Sequence, residues 1–321
     1  MNAKTQKNTP QVSVIMPLFN KRTYVRRAIE SIQKQTFHNW ELIIVDDGST
    51  DGSSEEVPKS NGRIRLYNQS NAGPSHARNS GIKIARGEFV TFIDADDYYY
   101  PFKLEQEMDL LSDKQLAEWM FSAGNFETQS GSKPVKIYKL NNDEIPKQLK
   151  IYRNAIKQLR IANWPIDGIF IRKSLLERLN GFKENMRCYE ITEFLFRCAL
   201  AEPSLLINPV PLYSVIDAPA SAFKESPYRT EGTRILGESL FKLSKKHPEY
   251  ANFLRTKSRD AILDYIARLI LSGKRHLYQK YLKKKFPYKK NFRWCKLYCA
   301  SKLPYILVKR INKELNFLQH D

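Results

Sequence analysis

The chain has 321 residues, a formal net charge of +19, four cysteines and five histidines. That length accommodates one large domain plus an appendage, and the ordinary apolar share argues against a disordered or fibrous protein. Sparse histidine and the absence of any CxxC pair argue against structural zinc, and no run approaches the roughly 20 apolar residues of a membrane-spanning helix.

Residues 1–10 (MNAKTQKNTP) read as a disordered lead-in without the apolar core of a signal peptide. Val12–Pro17 and Glu41–Val45 are short, nearly continuous apolar runs, the pattern of strands buried on both faces. Between them, Val25, Ala28, Ile29 and Ile32 fall on one face of a helix over Tyr24–Gln35, completing a βαβ unit. Gly48–Gly52 is a loop by composition, and Ile64–Tyr67 a third strand. Pro74 opens a helix to Ala85, with Gly87 just after its end, and Glu88–Ile93 is a fourth strand. Strands alternating with helices predict a doubly wound α/β sheet.

After Pro101 the pattern loosens. Helices are expected over Lys103–Leu111, from Ser174 to near Gly181, and over Glu193–Ala201. Strands are expected over Trp119–Phe126, Ile169–Ile171, Leu205–Ile207 and Leu212–Val215, and a loop over Thr128–Lys136. Pro, Ala and Ser cluster between Asp217 and Pro227, which sets the expected domains at 11–216 and 217–321. Arg234–Lys246 and Tyr250–Leu271 read as helices of the second.

Three strand ends carry the polar chemistry. They read VSVIMPLFN to Asn20, VDDGSTD to Asp51 and FIDADD to Asp97. In an open parallel sheet such ends meet at one crevice, where ligands bind. Asp94, Asp96 and Asp97 place three carboxylates within one turn of chain, a repulsion that a hard divalent cation or basic side chains would offset. A lone DxD is more often a solvated turn. The apolar strand before it and Pro101 after it shift that balance. DDGSTD also suits an Asx-type turn, with Gly48 allowing close approach to a ligand. In NAGPSHARNSG, a helix N-terminus and Arg78 together suit an anion. The plainer reading is a surface salt bridge with a cap.

From Gln11 to Tyr213 this set resembles the family 2 glycosyltransferases, nucleotide-sugar enzymes of the GT-A fold. The resemblance implies a Rossmann-like, mostly parallel sheet followed here by a helical, basic C-terminal extension. It implies a donor site of Pro17, Phe19, Asn20, Asp46, Asp47, Arg78, Asp94 and Ala95. It further implies Mg²⁺ or Mn²⁺ held by Asp94 and Asp96, with Asp96 favoured as the direct ligand. The family also carries a GF-acid-acid stretch, a Glu-Asp pair and an Arg seven residues after that Glu. Gly181, Phe182, Glu184, Glu190 and Arg197 match, but Ile191 stands where the Asp, the expected general base, belongs. Glu190 or Glu193 are the substitutes, with Asp167 a distant third. The plainer reading of Glu190 is that it only caps or pairs with Arg197.

The expected function is inverting transfer from a nucleotide-diphosphate sugar, a UDP-sugar, to a glycan or lipid-linked acceptor in surface polysaccharide synthesis. Ile191 suggests one rival, a non-catalytic nucleotide-sugar-binding protein. Charge suggests another, a nucleic-acid-binding protein, which is not the expectation. From Leu271 to Lys313 there are fourteen Lys and Arg and no Asp or Glu, interleaved with Tyr, Phe and Trp. That mix suits an anionic membrane surface, so the expected location is cytoplasmic and peripheral on the inner face of the cell membrane. No GxGxxG follows the first strand and no GxxxxGK[ST] occurs.

Overall fold

The computed structural model describes residues 9–59, 62–112, 117–128, 131–134, 148–159, 161, 164–216, 228–272, 274 and 277. The chain divides into two compact units, 1–222 and 223–321. Most of the lead-in, the expected boundary at 217–227 and nearly all of the basic tail lie outside the described residues.

The first unit opens with β1 (Val12–Leu18), α1 (Arg22–Gln33), β2 (Trp40–Asp46), β3 (Ile64–Asn68), α2 (Pro74–Ile84) and β4 (Phe89–Phe92). β1 lies between β2 and β4, and β3 flanks β2, all parallel. Every residue of β2 and β4 is buried, as near-continuous apolar runs covered on both faces require. α1 buries Val25, Ala28, Ile29 and Ile32, the predicted stripe. Val25, Ile29 and Ile32, removed from water, contribute about 1.5–3 kcal/mol each. A proline is tolerated in central β1 because β4 pairs with it only as far as Ile15 opposite Phe92, short of Pro17.

The remaining elements are β5 (Tyr98–Tyr99), α3 (Lys103–Leu111), β6 (Trp119–Thr128), β7 (Gly131–Pro134), β8 (Lys150–Tyr152), β9 (Ile169–Arg172), α4 (Lys173–Arg178), α5 (Glu190–Ala201) and β10 (Leu205–Ile216). The sheet has ten strands in the order β3-β2-β1-β4-β9-β6-β10-β5, with β7 on β6 and β8 on β10. β9 runs antiparallel to both β4 and β6, so the sheet is mixed beyond its parallel half.

The expected loop at 128–136 is partly a hairpin, since β7 pairs with the end of β6. The two strands read over 205–215 are one strand. Pro209 and Pro211 interrupt its local pattern, and β10 absorbs them as register shifts between Asn208 and Ser214 against β6. α5 starts at Glu190, three residues before the sequence reading, because Tyr189 takes a left-handed φ of 63° and turns the chain into the helix.

In the second unit, α6 (Arg229–Lys246) and α7 (Ala251–Leu271) pack on each other. Gly237 permits the approach: a Cβ there would lie 2.7 Å from Ile262. Ser258 Oγ donates to the Gly237 carbonyl at 2.6 Å. Among the described residues, no helix is long and apolar enough to cross a membrane.

Candidate active site

Register brings the strand ends to one edge: Leu18 lies opposite Asp46, and Asp46 opposite Asn68. Hydrogen bonds lace the loops that follow. Asn20, in a left-handed conformation, donates its N–H to Ser49 Oγ at 3.1 Å and accepts the Thr50 N–H at 2.8 Å. Phe19 keeps 46% of its surface exposed at this edge, and Pro17 is half-buried behind it.

Asp46 accepts the Ser49 N–H at 2.9 Å, the Asx-type turn that DDGSTD suits. Gly48 has a φ of 80°, and a Cβ there would lie 3.2 Å from the Asn71 nitrogen. Asp47 is buried and fully engaged within the protein. It accepts Gln69 Nε2 at 2.7 Å, the Ala72 N–H at 2.9 Å and the Gly73 N–H at 2.8 Å. Asp47 thereby fixes the turn that launches α2.

Arg78 of α2 is buried, not the surface residue of the plainer sequence reading. Its guanidinium donates to Asp94 Oδ1 at 2.9 Å and to Glu190 Oε1 at 3.1 Å. Burial works against the charged form, but the two carboxylates more than offset it and hold the Arg78 pKa above its usual value. The next residue, Asn79, brackets Phe182. It accepts the Phe182 N–H at 2.8 Å and donates Nδ2 to the Phe182 carbonyl at 2.8 Å. Gly181 has a φ of 60°, and a Cβ there would come within 2.3 Å of Asn79 Oδ1. The GF pair is thus a docking turn for α2.

Glu190 pairs with Arg78 rather than with Arg197. Arg197 instead donates to the carbonyls of Leu179 and Gly181 and to Glu193, at 2.7, 2.8 and 2.9 Å. Glu193 has no exposed surface and also pairs with Lys183 at 2.9 Å. Its carboxylate holds α5 to the preceding turn.

The acidic cluster separates into two tiers. Asp96 is at the rim, paired with Lys21 Nζ at 2.5 Å, and its carbonyl accepts Arg27 at 3.0 Å. Ala95 is buried. Asp94 is also at the rim, with its side chain 38% exposed, and a carboxylate oxygen of it lies within 4.8 Å of those of the buried Asp97 and Asp167. Asp94 donates its N–H to Asp167 Oδ1 at 3.1 Å, while the buried Asp167 Oδ2 has no hydrogen-bond partner. Burial, then the Asp94 charge, pushes the Asp167 pKa up to about 8. Burial, followed by Asp167, Asp96 and Asp94, raises that of Asp97. All-oxygen donors around an unsatisfied buried carboxylate oxygen fit a hard divalent cation such as Mg²⁺ or Mn²⁺.

Sequence reasoning overlooked Lys21, gave Asp97 no role of its own, and ranked Asp167 last among base candidates. Lys21 had one signal, its place directly after the first acidic-crevice loop. Asp167 had the acidic residue in NWPIDG just before an apolar strand.

Residues 13–179 match the family model described as glycosyl transferase family 2. The chain is 33% identical over 211 residues to a protein named as glycosyltransferase EpsH of Bacillus subtilis, covering 64% of this chain and 60% of EpsH. It is 30% identical to TuaG of the same organism, named for teichuronic acid biosynthesis, over 62% of this chain and 82% of TuaG. Among solved structures, S. aureus TarS 1–349 in complex with UDP superposes with a TM-score of 0.60 at 18% identity, covering 95% of this chain and 91% of that one. The α/β sheet is that of GT-A glycosyltransferases. The chain belongs to glycosyltransferase family 2.

Proposed function

We propose that the protein is an inverting glycosyltransferase. It moves a sugar from a nucleotide-diphosphate donor, a UDP-sugar, to a hydroxyl of a glycan or lipid-linked acceptor in surface polysaccharide synthesis. The observation that carries this reading is the meeting of the polar ends of β1, β2 and β4 at one sheet edge, where Lys21 after β1 reaches Asp96 after β4. The UDP bound by TarS and the name of TuaG support the donor and the pathway class.

In this reading Phe19 offers its exposed ring to the base. Asp46 and Asp47, with Asn20, shape the base and ribose pocket, and Pro17 and Ala95 line it. Asp94 and Asp96 hold Mg²⁺ or Mn²⁺, which when bound offsets charge on the departing diphosphate. Arg78 holds Asp94 in place. Glu190, opening α5, takes the acceptor proton, and Glu193 fixes the helix that carries it. The basic stretch 271–313 lies against an anionic membrane on its cytoplasmic side.

The test is calorimetric titration with UDP, with and without Mn²⁺. Metal-dependent binding is expected for the native protein, and Asp96→Ala should weaken it by about tenfold or more, a loss of roughly 1.4 kcal/mol. Equal UDP affinity with and without metal, together with an unaffected variant, would sink the metal-dependent donor site. GDP and dTDP serve as the specificity comparison.

A second reading has a specific observation behind it: Ile191 occupies the first turn of α5 beside Glu190. A non-catalytic protein would bind the donor yet neither transfer nor hydrolyse it. Restoring an acid with Ile191→Asp discriminates. A positioned general base contributes about 10²–10⁴-fold, so a gain in that range would mean that the native site lacks one. An unchanged transfer rate in an active enzyme would mean that the native site already has its base.

A further inference from the structure

The two carboxylates of the DxD are each held by a cation of the chain itself, and the two cations differ in kind. Arg78 is buried and shared between Asp94 and Glu190, so it cannot leave without unpairing both. Lys21 makes one ion pair, with Asp96, in which the side chains are 21% and 17% exposed. Its backbone is pinned: the N–H donates to Ser53 Oγ at 2.7 Å, and the neighbouring Arg22 N–H is bound by Asp51 at 3.0 Å. A fixed backbone carrying a compact ammonium on a flexible four-carbon stem is a mobile charge on a fixed pivot.

We propose that Lys21 is the resident counter-ion of Asp96 and competes with a divalent cation for its carboxylate, so that metal and nucleotide diphosphate bind as a linked pair. This deepens the donor-site reading above and rests on it. Metal alone must compete with a unit positive charge already on the Asp96 carboxylate, with no new partner for that charge. A diphosphate supplies one, because it is anionic and arrives at the same edge. Lys21 then leaves Asp96 for a phosphate oxygen. Each ligand removes an obstacle for the other, which is a positive coupling free energy, and linkage makes it reciprocal. Asp96 stays in place through the exchange because its carbonyl is bound independently by Arg27.

The experiment measures Mn²⁺ binding by the full chain without nucleotide, from the electron paramagnetic resonance of free Mn²⁺, and then repeats it with UDP. Native protein, Lys21→Met and Lys21→Arg are compared. Without nucleotide, Lys21→Met should bind Mn²⁺ about tenfold more tightly than native protein, and Lys21→Arg should stay close to native. With UDP the Met variant should lose that advantage, because the native ammonium then gains a phosphate partner. Unchanged melting temperatures establish that the variants are folded, as expected for a partly exposed side chain.

Mn²⁺ affinities of native and Met proteins within roughly twofold of each other, in a native protein that does show Mn²⁺-dependent UDP binding, would overturn the Lys21 proposal and leave the donor site standing. Tighter Mn²⁺ binding by Lys21→Met in a protein that ignores UDP would support the Lys21 pairing and sink the donor reading. No Mn²⁺ binding by any of the three, with or without UDP, would overturn both.

Discussion

Arg78→Met is expected to destabilise the protein by about 3 kcal/mol, the lower end of what removing one partner of a buried ion network costs. Native domains have only about 5–15 kcal/mol in total. The loss follows from what Arg78 joins. α2, the loop after β4 and the start of α5 lie far apart in sequence, and one guanidinium bridges them through Asp94 and Glu190. Methionine keeps the apolar contact with the Phe182 ring, which lies 5.7 Å from the guanidinium carbon, so the change isolates the charge. The Asp94 side chain, 38% exposed, recovers part of its solvation, whereas that of Glu190, 10% exposed, recovers little. Most of the cost therefore sits on Glu190. Urea denaturation of Arg78→Met, Glu190→Gln and the double variant checks this. The double variant should be more stable than the sum of the single losses predicts, by at least about 1 kcal/mol, as interacting sites show. Additive losses would mean that the Glu190 pair contributes nothing and that Arg78 acts through Asp94 and packing.

The parallel half of the sheet was legible because burial on both faces writes itself into composition. VSVIMPL and ELIIV need no partner to be recognised, and Pro74 marks the start of α2 by its own geometry. Elements that owe their form to a neighbour were not legible. β5 is two residues long and exists by pairing with β10. β10 continues through Pro209 and Pro211 because β6 resumes its pairing beyond each register shift. At the candidate site, the partnerships between residues were not legible. Lys21 and Asp96 are separated by 75 positions, and Arg78 and Glu190 by 112. No periodicity in a chain reports a pair across such distances. Spacing also misled locally. Glu190 and Arg197 lie seven apart, the family's spacing, yet Arg197 serves the carbonyls of the 179–181 turn while Glu190 turns to α2.

That division bears on how the site stores charge. Rim and interior solve the same repulsion differently. At the rim, Lys21 and Arg78 neutralise Asp96 and Asp94. In the interior no basic side chain is paired with Asp97 or Asp167 among the described residues, and burial favours their protonated forms. A paired ammonium at the mouth and burial that favours protonation behind it both offset the repulsion within the acidic crevice.

The interior tier predicts a pH dependence of stability with a definite sign. Asp167 has a folded pKa of about 8 against an ordinary 3.8. Between those values the folded protein keeps a proton that the unfolded chain has released. Stability from this group is therefore fully present below pH ~4 and is lost as the pH rises towards ~8, by up to ~1.4 kcal/mol per pH unit for one proton. The raised pKa of Asp97 acts in the same direction. Glu41 acts oppositely and lower: burial raises its pKa, but hydrogen bonds from Arg86, Arg65 and Ser13 outweigh that and lower it. Its contribution is lost only as the medium turns acid. Asp167→Asn separates the two effects. Asn keeps an oxygen for the Asp94 N–H and puts a neutral amide in place of the unpartnered Oδ2. Urea denaturation in EDTA at pH 5.5 and 7.5 should show the variant gaining about 2 kcal/mol on the native protein between the two. Parallel stability profiles would mean that Asp167 is already ionised in the folded state, and that the interior carboxylates are held by something other than a proton.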